Sequence, residues 1–377
     1  AGVSNAGKVQ ITIIDKKDHV DMCVPHPRSM VNAVFADEVL VMHGTAFKAT
    51  TQPKVVQVSE VTSVGDGAVT VRAKGGVPQT INADAIVIAT GSSYGGAYIK
   101  NDDGLDKSAW LQKIGSWRQA AANSKHILII GGGVTGVEVA GELATEHPSC
   151  KITIVHGGKW LCNVSEKFHK NCISSFDGLP GTVEVLCDDR VDAEEALSFA
   201  NGPQTYTTQT SKTIANVDMV LKCTGVSPNS SFLDANKLDA KKFIVVDGSL
   251  QAPSLTSAKC PVFAVGDVTS VGYGRVMVAE AMGKACAKNL KNLVAGKPLN
   301  TKVYNVVKAP FLPVLISVGR TQGVGNVPFN GKMLARNIKA PGLLANMIWP
   351  NHVKGFKLSA AAKAPSPLTL GPVVIAN

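Results

Sequence analysis

Gly131, Gly133 and Gly136 stand between an apolar run, His126-Ile-Leu-Ile-Ile130, and a helical stretch reaching about Glu146. That spacing can hold a pyrophosphate. The first glycine permits a tight turn, the second lets backbone approach the phosphates, and the third lets helix and strand pack closely. The helix start then offers N–H donors and partial positive charge. With a further strand at Lys151–Val155 the βαβ unit is complete, so the fingerprint reads as a dinucleotide site rather than a structural turn. This strand runs out at His156, followed by Gly157, Gly158 and Lys159. An acid there would bind the ribose diol of NADH and repel the extra phosphate of NADPH. With a histidine and a lysine in its place, either nucleotide stays open, with a lean to NADPH. The plainer reading makes His156 an exposed loop histidine with no ligand role.

Other residues carry chemistry only in context. Glu138 lies two residues past Gly136, in the first turn of the helix. An acid there is favoured by the helix dipole, and it is equally placed to sit near a nicotinamide; both readings stay open. Gly266-Asp267 follows the apolar run Val262–Val265. After a complete nucleotide unit, it fits an acid contacting a ribityl hydroxyl. Val9 to Ile14 is a β-branched run that closes on Asp15. The second strand of a dinucleotide-binding unit ends this way, its acid bonding the adenosine ribose. The strand, glycine loop and most of the helix that precede it in such a unit are expected upstream of residue 1.

Positioning these residues takes an alternation of strands and helices. Val55–Val64 and Ala68–Ala73 read as strands joined by Gly65-Asp66-Gly67, a hairpin signal. Ala85–Ala89 is a buried strand that delivers Thr90-Gly91, and a helix is predicted from Ala109 to Ala122. Val183–Leu186 and Val217–Cys223 continue the nucleotide unit, and Thr224–Asn229, with Gly225, leaves it. Phe243–Val246 starts the return, a helix follows from about Met277 to Leu293, and Val314–Val318 is a strand.

Composition bounds the partners. Hydrophobic residues make up 45% and charged residues 18% of the 377, which belongs to a folded globular chain. The net charge of +10 favours anionic partners such as nucleotides, but it is diffuse, and aromatics at 5% give little surface for stacking nucleic-acid bases. The eight cysteines form no C-x-x-C or C-x-x-x-x-C pair, which argues against zinc clusters and a local redox dithiol. Isolated apolar thiols point to a reducing, cytoplasmic compartment. No apolar run is long enough to cross a membrane as a helix.

Ile13-Ile14-Asp15, Ala89-Thr90-Gly91, the Gly131–Glu138 loop, Thr224–Asn229 and Gly266-Asp267 together resemble the pyridine nucleotide-disulfide oxidoreductase superfamily over nearly the whole chain. Three segments resemble its apoptosis-inducing-factor-like branch: Val24-Pro25-His26-Pro27-Arg28-Ser29, Gly133-Val-Thr-Gly-Val-Glu138 and Ser317-Val-Gly-Arg320-Thr-Gln-Gly323-Val-Gly325. The last is the most discriminating. The resemblance implies an α/β fold of two nested Rossmann-like dinucleotide-binding domains. An FAD-binding domain would take residues 1–111 and 239–299, an NAD(P)H-binding domain 112–238, and a C-terminal region 300–377. It implies FAD and NAD(P)H as cofactors. Asp15 would bind the FAD ribose, Arg28 would approach its phosphates, Val61 would contact adenine through its backbone, and Asp267 would hold the ribityl chain. Glu138 would lie near the nicotinamide–flavin junction. Lys308, twelve residues before Arg320, matches a lysine near the flavin.

The expected activity passes electrons from NAD(P)H through FAD to an acceptor. Without a cysteine pair to relay them, direct transfer to a quinone-type acceptor is favoured. The stretch 332–354 mixes apolar residues, Trp349 among them, with Lys332, Arg336, Lys339 and Lys354. That suits peripheral contact with a membrane surface, although an ordinary packed segment would look the same, and a mitochondrial location stays open. Two other readings remain. One is a reductase of a soluble acceptor such as monodehydroascorbate or a ferredoxin-like protein. The other is a non-enzymatic DNA-binding death effector, whose DNA affinity would fall steeply with salt.

Overall fold

The computed structural model describes residues 10–46, 54–96, 99–272, 274–301, 314–329, 332–337 and 373–376. Two parallel sheets organise it. The first runs, in spatial order, Val262–Ala264, Ala85–Ile88, Val373–Ala376, Ile11–Asp15 and Lys54–Val58, with every neighbouring pair parallel. Ala85–Ile88 is buried at every position, as expected of a parallel strand covered on both faces. The slot beside Ile11–Asp15, where a dinucleotide fold carries its leading strand, is filled by Val373–Ala376. The register runs from Ile11↔Val373 to Ile14↔Ala376. The structure seats a strand from the other end of the chain there, and it satisfies the inner backbone groups of both neighbours.

The second sheet runs Val183–Cys187, Lys151–His156, His126–Ile130 and Met219–Lys222, again all parallel. The helix Val134–Glu146 crosses it, burying Val137, Ala140, Leu143 and Ala144 at helical spacing. It ends at His147, the residue before Pro148, where the proline ring disfavours helical backbone. The helix Lys107–Asn123 is capped by Asp106, whose carboxylate accepts the Ala109 N–H at 2.8 Å. It buries Trp110, Ile114, Trp117 and Ala121 on one stripe. Each such large apolar side chain contributes about 1.5–3 kcal/mol on burial.

Three elements depart from the sequence reading, each for a local reason. Val55–Val64 breaks at the buried Ser59, whose N–H reaches the Asp15 carbonyl at 2.9 Å. Lys54–Val58 therefore joins the first parallel sheet, while Glu60–Gly65 pairs antiparallel with Ala68–Arg72. Val217–Cys223 breaks at Asp218, whose carboxylate accepts the Lys125 and His126 N–H groups at 2.8 and 2.9 Å. Thr213–Val217 then forms a hairpin arm with Gln204–Thr207. Phe243–Val246 makes isolated bridges through Ile244 and no strand. A helix unforeseen in the sequence, Glu166–Asp177, is capped by Ser165. The strand Val314–Val318 leads an antiparallel sheet with Gln322–Phe329 and Lys332–Asn337, packed on the helix Val134–Glu146.

Candidate functional site

The glycine loop has the geometry its spacing demands. Gly131 adopts φ +108°, and a Cβ there would sit 2.3 Å from the Cys223 carbonyl oxygen. At Gly136 a Cβ would lie 2.0 Å from the Gly131 carbonyl oxygen, so this glycine is what lets the helix approach the strand. Gly133 is different: it caps the helix with no side chain, and nothing lies within 4 Å of where its Cβ would be. The first N–H groups of Val134–Glu146 thus face open space. A cavity of about 770 Å³ opens there, lined among others by Tyr94, Gly131, Gly133, His156, Arg190 and Gly225.

His156 is not an exposed loop residue. It is 8% exposed, and its Nδ1 accepts the Gly132 N–H at 3.2 Å. Its Nε2 lies 3.2 Å from the Trp160 carbonyl and 3.3 Å from Asn163 Oδ1, a pattern that places the ring proton on Nε2. The ring braces the phosphate loop from below.

Behind the loop lies a network of charges. Glu138 accepts the Ser317 N–H at 3.1 Å and the Ser317 hydroxyl at 3.4 Å. Burial pushes its pKa up to about 7, with the neighbouring Glu142 adding to the rise and Ser317 and Arg28 opposing it. One turn on, Glu142 is 2% exposed and accepts from Arg28, whose Nη2 and Nε reach the same oxygen at 2.7 and 3.1 Å. Glu142 Oε2 is left buried without a partner among the described residues. The discriminating Ser317–Gly325 segment acquires a physical account here. Ser317 meets Glu138, Arg320 pairs with Glu146, and Gly319 abuts Gly141, where a Cβ would lie 2.4 Å from the Gly319 nitrogen.

Thr90-Gly91, at the end of a first-sheet strand, and Thr224–Asn229, at the end of a second-sheet strand, are tied together. The Thr90 hydroxyl donates to the Asn229 carbonyl at 2.6 Å, and Asn229 Nδ2 donates to the Thr90 carbonyl at 2.8 Å. Gly91 and Gly225 take φ +67° and +112° at these turns. Ser92–Tyr94 then pairs antiparallel with Val226–Pro228. The Ser92 hydroxyl donates to Asp267 Oδ2 at 3.3 Å, after a turn in which Gly266 has φ +75°. Asp267 Oδ1 is buried with no partner among the described residues, an acceptor left over for a hydroxyl donor. A ribityl hydroxyl is such a donor, so this acid fits FAD.

Asp15 is 2% exposed, with one oxygen accepting the Lys17 N–H at 3.0 Å and the other 3.5 Å from His43 Nε2. Val61 pairs with Val71 and packs against the first-sheet core. Lys308 lies outside the described residues, as do the side chains of residues 332–354. Sequence reasoning missed Glu142, Ser92 and Arg190. It also missed Lys100, whose ammonium donates to the Ser92 carbonyl at 2.7 Å. Cys162 and Cys172, ten residues apart, lie together in the core beneath the loop, where the neighbouring Cys172 thiol and then burial raise the Cys162 pKa. Among the described residues no group of His, Cys, Asp or Glu could hold a metal ion, and no helix is long and apolar enough to cross a membrane.

Two parallel sheets, a phosphate-ready glycine loop and a buried acid with a spare acceptor define an α/β fold suited to a flavin and a pyridine nucleotide. The family of pyridine nucleotide-disulphide oxidoreductases matches residues 2–283, and the chain belongs to it. Its members bind FAD and NAD(P)H. The FAD-dependent oxidoreductase FVFD30 of Flammulina velutipes is 30% identical over 245 residues, 64% of this chain and 71% of that protein. Ferroptosis suppressor protein 1 of Homo sapiens is 25% identical over 366 residues, 92% of each chain. In fold, the sulfide:quinone oxidoreductase of Aquifex aeolicus superposes with a TM-score of 0.68 at 14% identity, covering 96% of this chain and 93% of that one.

Proposed function

We propose that this chain oxidises NAD(P)H at the Gly131–Gly136 loop and delivers the electrons, through FAD, to a quinone-type acceptor. The observation that supports this most is the strand Ser92–Tyr94. Ser92 hydrogen-bonds Asp267, while Tyr94, two residues on, lines the nucleotide cavity. Two strand residues span about 7 Å, so the acid suited to the flavin and the cradle suited to the nucleotide are next to each other. The Val134–Glu146 helix start and the bare Gly133 would take the pyrophosphate, and Asp267 would take the ribityl chain. FAD, when bound, supplies the hydride acceptor. Glu138 would set the charge beside the nicotinamide. With no C-x-x-C or C-x-x-x-x-C pair in the chain, the acceptor must approach the flavin directly. A quinone suits that need, and the basic, apolar stretch 332–354 would bring the protein to a membrane face where quinones reside.

The test is spectroscopic. Protein reconstituted with FAD should show a flavin spectrum that bleaches anaerobically on adding NADH or NADPH and returns on adding a short-chain quinone. Failure to bind flavin and to consume nucleotide would overturn the reading. Recovery with monodehydroascorbate or a ferredoxin-like protein but no quinone would replace the acceptor alone. Vesicle flotation, with and without residues 332–354, tests the membrane contact.

Gly133→Ala gives a sharper check of the loop. The added methyl meets no protein atom and φ is −72°, so the melting temperature should not move. The methyl would instead stand where the pyrophosphate comes closest, and affinity for ADP-ribose should fall about tenfold. Unchanged affinity in calorimetric titration would remove the phosphates from this loop.

A further inference from the structure

The nucleotide cavity contains a cation that the glycine motif does not announce. Arg190 follows the strand Val183–Cys187, which pairs with Lys151–His156 so that His156 faces Cys187. The segment between is pinned to the end of that strand, with the Asp189 N–H on the His156 carbonyl at 3.2 Å and the Asp188 N–H on the Gly158 carbonyl at 3.1 Å. This carries the Arg190 side chain over Gly157, where a Cβ would sit 2.9 Å from the guanidinium carbon. Arg190 lines the cavity, as does Gly157 beneath its guanidinium. Among the described residues it makes no ion pair and no side-chain hydrogen bond.

Three of the neighbouring groups that could compete with it, or share its task, are otherwise engaged. Asp189 turns inward, accepting the Arg190 N–H at 2.8 Å, the Thr210 N–H at 3.1 Å and the Thr210 hydroxyl. Lys159 lies over the Trp160 ring, 5.4 Å from its centroid. His156 braces the glycine loop. Asp192 also lines the cavity, as an exposed carboxylate that forms no salt bridge with Arg190. The end of the second strand is where the adenosine ribose lies in a dinucleotide fold, and it offers no acid to take the 2′-hydroxyl. A free guanidinium beside a bare glycine matches a phosphate in both charge and fork geometry.

We propose that Arg190 reads the 2′-phosphate of the nucleotide, making NADPH the preferred reductant over NADH. The inference rests on the cavity being the nucleotide site, as proposed above. It is tested without flavin chemistry by titrating full-length protein calorimetrically with 2′-phospho-ADP-ribose and with ADP-ribose. Wild type should bind the phosphorylated ligand more tightly. Arg190→Ala should lose about 10- to 100-fold of that affinity while ADP-ribose binding stays within about threefold, and Arg190→Lys should fall between. Because the side chain is exposed, the melting temperature should be unchanged, which keeps the variant interpretable. Equal weakening of both ligands would mean that Arg190 packs on the adenine or ribose and would overturn the proposal. So would a wild-type preference for ADP-ribose. Binding of neither ligand by wild type would instead bring down the nucleotide reading itself.

Discussion

Replacing Arg28 with alanine is expected to lower the unfolding free energy by about 3–5 kcal/mol, the cost of leaving a buried carboxylate without its cation. Glu142 is 2% exposed, and both of its contacts from Arg28 fall on one oxygen while the other has no partner. Removing the guanidinium strands the whole carboxylate in the core beside Glu138. Arg28 itself is 18% exposed on its side chain, which places the expected loss toward the lower end of that range. The Arg28→Met, Glu142→Met double variant should regain most of the stability, because an apolar pair of similar volume often replaces a buried ion pair at little cost. Urea unfolding of the single and double variants decides it, and an Arg28→Ala midpoint equal to wild type would sink the idea. The double variant also separates two roles. The family resemblance places Arg28 at the FAD phosphates, whereas the structure shows it clamped on Glu142. If the stability returns but FAD affinity does not, Arg28 serves both.

What was legible in the sequence was what is local in the chain. A phosphate loop must gather its glycines within six residues, so Gly131, Gly133 and Gly136 announced themselves. Apolar runs of four or five residues, such as Ala85–Ile88 and His126–Ile130, marked the buried parallel strands, and Gly266-Asp267 marked a strand end with an acid. What was hidden depends on contacts between distant segments. Arg28 and Glu142 are 114 positions apart, and Arg190 reaches the cavity because backbone bonds tie one strand's exit to its neighbour's. The leading slot of the first sheet goes to Val373–Ala376, and no local pattern distinguishes that run from any other short β-branched strand. The position of His156 after a strand left both a nucleotide contact and an exposed loop residue open. Its ring is in fact taken up by a loop that folds back over it.

Glu138 should make stability fall as pH rises, opposite in sign to the usual paired carboxylate. Its folded pKa is raised from 4.5 to about 7, chiefly by burial. Between those values the native state holds a proton that the unfolded chain releases, so the slope of stability against pH is negative there. Below about 4.5 both states are protonated and the group costs nothing; above about 7 the full cost is incurred. The shift corresponds to at most about 3 kcal/mol. Glu138→Gln keeps an acceptor for the Ser317 N–H and removes the charge, so it should match wild type near pH 4 and be more stable at pH 8 by up to that amount. A gap that stays constant from pH 4 to 8 would show that Glu138 does not titrate in this way. On the proposed function the same proton has a kinetic consequence. An ionised Glu138 would stabilise the cationic ring that hydride loss leaves on the nicotinamide, while a protonated one would not. The rate of flavin bleaching by NADPH should therefore rise with pH through about 7 in wild type and lose that step in Glu138→Gln. Wild type thus gives up stability over the same interval in which it gains rate, as expected of a charge kept at a working site at the expense of the fold.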